Sequence, residues 1–150
     1  MNERRARPGD RRKSWRGGRR DEDRGQRPTV LVVDDHADCR ELIGVVLGAA
    51  GIGTAEVSTG AAAIEWLRTA PAPQALIVDL RLPDCHGTEV IRQLRENPAT
   101  LGMPVLVLSA LVTEADRRAA SDAGAAAFLP KPVLPDDLLK VVRRLLTLPT

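Results

Sequence analysis

The pattern of apolar and polar positions divides the chain at Thr29. Residues 1–28 show no apolar periodicity. From there Thr29-Val30-Leu31-Val32-Val33 forms an unbroken β-branched and aliphatic run that stops at Asp34-Asp35. A run without alternation predicts a strand covered on both faces, as in a parallel sheet. Asp38–Ala50 then carries Leu42, Ile43, Val46 and Leu47 at helical spacing, and Gly51 supplies the stop. A short strand follows at 53–57. Ser58 or Thr59 can cap the next helix, whose packed face gathers Ala62, Ile64, Trp66 and Leu67 before Pro71 and Pro73. Ala75-Leu76-Ile77-Val78 is a third strand ending at Asp79. Beyond the loop 82–87, Thr88–Glu96 is a helix with Val90, Ile91 and Leu94 on one face, stopped by Asn97-Pro98. Pro104–Leu108 is a fourth strand ending at Ser109. A charged, alanine-rich helix over Glu114–Ala123 stops at Gly124. Ala126–Leu129 is a short fifth strand leading into Pro130-Lys131-Pro132. The last helix, Asp136–Leu146, turns Leu138, Leu139, Val142, Leu145 and Leu146 inward.

Strands alternating with helices through short connections predict an α/β domain, a doubly wound parallel sheet covered on both sides. In such a sheet ligands bind beyond the carboxyl ends of the strands. The residues just past strands one, three, four and five are Asp34-Asp35, Asp79, Ser109 and Lys131. Clustered carboxylates need a cation, and oxygen donors favour Mg²⁺ or Mn²⁺ over zinc. Mg²⁺ takes one or two carboxylates plus a substrate phosphate, which leaves one carboxylate to attack phosphorus. Lys131 and Ser109 suit the phosphoryl oxygens.

Four segments carry a family resemblance: Val-Val-Asp-Asp (32–35), Val-Asp-Leu-Arg-Leu-Pro-Asp with Gly87 (78–84), Leu-Ser-Ala (108–110) and Leu-Pro-Lys-Pro (129–132). Over about residues 28–148 the chain resembles the response-regulator receiver domains of two-component signalling, of the chemotaxis-regulator kind. The resemblance implies a flavodoxin-like, five-stranded sheet in order 2-1-3-4-5 with five helices. It implies that Asp79 accepts phosphate from a histidine kinase or phosphotransfer protein. Asp34, Asp35, Asp79 and the backbone carbonyl of Arg81 would hold Mg²⁺. Ser109 would move toward the phosphoryl group, Lys131 would pair with it, and Pro132 would follow a cis peptide. Phe128 matches the aromatic switch position, though a core aromatic without that role is the alternative reading. The readout face would be the fourth helix, fifth strand and fifth helix. Such a protein is a phosphoacceptor switch that catalyses only its own phosphorylation and dephosphorylation.

Charge changes the picture mainly at the N-terminus. Residues 1–28 hold 11 Lys and Arg against 5 Asp and Glu, while the remainder holds 11 against 15. The 1–28 segment reads as a disordered basic tail, with 29–148 as the receiver. Arg4, Arg5, Arg11, Arg12, Lys13, Arg16, Arg19 and Arg20, with Trp15 among them, make it a candidate for nucleic acid. No apolar run is long enough to span a membrane and no secretory signal is present, so a cytoplasmic protein is expected. Cys39 and Cys85 read as unpaired thiols, and His36 and His86 as surface residues. Arg81 is a candidate for controlling water access to the phosphate. The chain stops shortly after its last helix, so a stand-alone receiver serving a separate effector is expected. The alternatives are a pseudo-receiver scaffold and an adaptor acting through the basic tail. A phosphatase acting on outside substrates lacks a further acid–base carboxylate.

Overall fold

Each apolar run becomes a strand of one sheet. The computed structural model describes residues 29–69, 71–110 and 113–147. The tail expected at 1–28 lies outside the described residues. The strands are β1 (Thr29–Val33), β2 (Gly53–Val57), β3 (Ala75–Val78), β4 (Val105–Ser109) and β5 (Ala127–Pro130). The helices are α1 (Ala37–Ala49), α2 (Gly60–Thr69), α3 (Gly87–Arg95), α4 (Glu114–Ala123) and α5 (Pro135–Leu146). All strand pairs are parallel, in the order β2-β1-β3-β4-β5. The expected α/β class, strand order and set of helices are therefore those observed.

Alternate residues of one strand feed two cores. Leu31, Val33, Leu76, Val78, Val105 and Val107 pack with Ala63 and Trp66 of α2, Val90, Ile91 and Leu94 of α3 and Ala120 of α4. Val30, Val32, Ile77, Leu106 and Leu108 pack with Ile43 and Leu47 of α1 and Leu138, Val142 and Leu145 of α5. Burying one such Leu or Val contributes about 1.5–3 kcal/mol. This two-sided demand explains why β1, β3 and β4 run apolar through successive positions, whereas β2 alternates with buried Thr54 and Glu56.

The element ends shift slightly from expectation. His36 is the N-cap of α1, ahead of Asp38, and Pro135 begins α5, where a missing N–H costs nothing. Ser109 is the last residue of β4 rather than the first beyond it. Thr59, not Ser58, caps α2, accepting from the Ala62 amide at 3.0 Å. Gly51 and Gly124 both have positive φ, 84° and 109°, as helix-stopping glycines do.

The ladder continues past the strand ends and sets the site. Asp34 N–H donates to Val57 O (3.1 Å), Asp79 N–H to Val33 O (3.0 Å) and Lys131 N–H to Ser109 O (3.0 Å). The chemistry-bearing backbone is thus fixed by sheet hydrogen bonds, although it lies in the loops.

Candidate functional site

Asp79 and Asp34 follow β3 and β1, the two central neighbours, so their side chains share one crevice. Both are nearly sealed, at 3% and 2% exposure, and Ser109 is buried at 1%. A buried carboxylate needs donors on its oxygens. Asp79 Oδ1 accepts from the Ser109 hydroxyl at 2.7 Å and from the Arg81 amide at 3.0 Å. Its Oδ2 accepts from Lys131 Nζ at 2.8 Å. Lys131 Nζ also sits 2.7 Å from Asp34 Oδ2, so one ammonium bridges two acids.

The electrostatics follow from that bridge. Burial pushes the Asp34 carboxyl up, but the hydrogen bond and charge of Lys131 and the His36 amide outweigh it and hold the carboxyl low. Burial pulls the Lys131 ammonium down, and its bonds to Asp34 and Asp79 more than restore it. Cys39, one turn into α1, is pushed up to about 12 by burial and by the Asp34 charge. It is therefore a thiol, not a nucleophilic thiolate.

The loop from β3 to α3 is built to present Asp79. A Cβ on Gly87 would collide with the Asp79 carbonyl, so only glycine lets α3 begin against that peptide. Asp84 caps α2 by accepting from the Gly60 and Ala61 amides, both at 2.9 Å, which hold its carboxyl below the usual range. His86 is the N-cap of α3: its Nδ1 accepts from the Thr88 amide at 3.3 Å.

The predicted residues Asp34, Asp35, Asp79, Ser109 and Lys131 come together, and the Lys131–Pro132 peptide is cis. The Arg81 guanidinium reaches Asp116 at the start of α4 at 2.8 Å. Phe128 is half-buried, with Arg117 over its ring at 4.6 Å. Its ring packs against the core shared by α2, α3 and α4. His36, read from sequence as a surface residue without a partner, has two. Its Nδ1 lies 3.1 Å from Asp34 Oδ1 and 3.2 Å from Asp35 Oδ1. The adjacency of His36 to the acidic pair was a usable signal; the direction of its ring was not. Ligand atoms of Asp34, Asp35, His36 and Asp79 all lie within 4.8 Å of one another, a donor set that fits a divalent cation.

Residues 30–143 match the model of the response regulator receiver domain family. The chain belongs to that family. Among curated relatives, the response regulator MprA of Mycobacterium ulcerans is 38% identical over 117 residues, covering 78% of this chain and 49% of that protein. The transcriptional regulatory protein GltR of Pseudomonas aeruginosa is 36% identical over 118 residues, 79% of this chain and 48% of its own. The chain thus spans about half the length of the curated relatives it matches. A putative response regulator from Chloroflexus aurantiacus superposes with TM-score 0.77 at 31% identity, covering 81% of this chain and 99% of that chain. The chemotaxis response regulator CheY4 of Vibrio cholerae gives 0.74 at 26%, covering 79% and 98%. A receiver is a signalling phosphoacceptor domain, and its acidic pocket is where the family binds Mg²⁺. Among the described residues no helix is long and apolar enough to cross a membrane.

Proposed function

We propose that Asp79 is the phosphoacceptor of a Mg²⁺-dependent switch. The observation that carries this is the wiring of its buried carboxylate: Ser109 on one oxygen, Lys131 on the other, and Asp34 and Asp35 alongside. A carboxylate oxygen of Asp79 attacks phosphorus of a phosphohistidine on a histidine kinase or phosphotransfer protein. The P–N bond breaks, its electron pair leaves with the imidazole, and Asp79 becomes an acyl phosphate. Asp34, Asp35, Asp79 and the Arg81 carbonyl would hold Mg²⁺, which would supply positive charge to neutralise the phosphoryl oxygens.

This chain's own donors do the rest. Ser109 leaves Asp79 Oδ1 and donates to a phosphoryl oxygen. Lys131 keeps its position and exchanges a carboxylate for the phosphoryl group. The Ser109 shift pulls on β4 and the α4 start, altering the face of α4, β5 and α5 where Arg117 covers Phe128. That face acts on an effector. With no phenolic hydroxyl, Phe128 contributes through packing alone. The reading places the domain in the cytoplasm, where the free thiols Cys39 and Cys85 stay reduced.

The test is intact mass after incubation with acetyl phosphate and Mg²⁺. One added phosphate is expected on the native chain and none on Asp79→Asn. No adduct, together with no Mg²⁺ binding by calorimetry, overturns the reading in favour of a scaffold.

A further inference from the structure

The phosphoacceptor chemistry needs only oxygen donors around its cation, yet His36 sets a nitrogen among them. Its Nδ1 is 3.1 Å from Asp34 Oδ1 and 3.2 Å from Asp35 Oδ1. In an octahedral site with bonds of ~2.1 Å, neighbouring donors stand about 3.0 Å apart and opposite ones about 4.2 Å. The nitrogen therefore has the spacing of an adjacent vertex to both carboxylates. The wider four-residue set, within 4.8 Å throughout, has the span of one coordination sphere.

The local chain builds this placement. The His36 amide donates to Asp34 Oδ1 at 2.9 Å, which fixes the residue at the N-cap of α1 in an extended conformation. Its ring makes no capping bond to the helix. Asp34 divides its oxygens, Oδ2 to Lys131 and Oδ1 to His36, so ammonium and imidazole approach from different sides.

We propose that His36 Nδ1 is a metal ligand and that it shifts this receiver's preference from Mg²⁺ toward first-row divalent ions such as Mn²⁺ and Co²⁺. Imidazole adds little for hard Mg²⁺ and much for ions later in the first row. Coordination uses the neutral ring with its proton on Nε2. The inference rests on the reading that the carboxylates hold a divalent cation, and it specifies which one.

Pulsed electron paramagnetic resonance of the untagged chain loaded with Mn²⁺ reads the ligand directly. The chain holds only two histidines, so an imidazole ¹⁴N coupling comes from His36 or His86. The coupling is expected in the native chain and in His86→Gln, and is lost in His36→Gln and His36→Ala. His36 is 65% exposed, so both variants should fold. Calorimetry should show the ratio of Co²⁺ to Mg²⁺ affinity falling about tenfold in either His36 variant. Mn²⁺ bound without ¹⁴N coupling, with an unchanged ratio, overturns the inference and leaves His36 a hydrogen-bonding neighbour of the acids. No binding of any divalent ion by the native chain overturns the phosphoacceptor reading as well.

Discussion

At the scale of single residues, Lys131 decides what the crevice can tolerate. It is the ammonium shared by Asp34 and Asp79, two carboxylates that are each almost fully buried. Replacing it with Met leaves buried acids unpaired, and a loss of ~3 kcal/mol at neutral pH is expected in urea unfolding without divalent ions. Millimolar Mg²⁺ should return part of that stability to Lys131→Met, because a metal ion supplies the missing charge. The pH dependence has two limbs. Asp34 is held below its ordinary 3.8, so its contribution is whole above that value and is lost as pH falls through the lowered one. Lys131 is held above its ordinary 10.5, so its contribution is whole below that value and is lost as pH rises through the raised one. In Lys131→Met the basic limb should vanish, and the acid limb should begin at higher pH, since burial alone raises Asp34. An unchanged acid limb, followed by fluorescence or circular dichroism, would show that Lys131 does not govern Asp34.

At the scale of elements, the same substitution should have opposite signs at two helical glycines. Gly87 begins α3 against the Asp79 peptide, where a Cβ would meet the Asp79 carbonyl and the Leu80 Cα, backbone atoms that cannot turn aside. Gly87→Ala should cost about 1–3 kcal/mol and slow phosphoryl uptake, because the displaced peptide carries the acceptor. Gly48, near the end of α1, has nothing within 4 Å of the same added atom. Gly48→Ala should stabilise by about 0.5–1 kcal/mol through helix propensity alone, and thermal unfolding of the pair measures the contrast. Element positions were largely legible in the sequence. β1, β2, β3 and α4 fall on the expected residues; β1 and β3 are unbroken apolar runs, and Gly124 stops α4. The helix starts at α1 and α3 were less so, because histidine is a poor capping signal. His36 is fixed by an Asp34 oxygen on its amide, and His86 caps with a ring nitrogen. Both depend on side-chain directions that spacing does not encode.

At the scale of the whole molecule, parallel topology gathers Asp34, Asp79, Ser109 and Lys131 from across a hundred residues of chain onto one edge. That convergence was legible, because strand ends in a doubly wound sheet must share an edge. The turn of Arg81 toward Asp116 and of His36 toward the acids was not, because each depends on a partner from another segment or on a rotamer. The gathered charge has a cost that the fold must carry. Asp34, Asp35 and Asp79 cluster near one ammonium, and the Lys131 bridge joins Asp34 to Asp79, with Asp35 at 35% side-chain exposure beside it. Asp35→Asn removes one charge while keeping the shape and an acceptor for His36. Without divalent ions the variant should be more stable than the native chain by about 1–2 kcal/mol, the usual trade of a functional site against stability. A ligand at a hundredfold its dissociation constant stabilises by about 2.7 kcal/mol, so the native chain should gain stability across a Mg²⁺ titration. Asp35→Asn should gain much less at the same concentrations, and the two stability curves should cross. Curves that stay parallel would mean that Asp35 takes no part in holding the ion and that its charge is retained for some other reason.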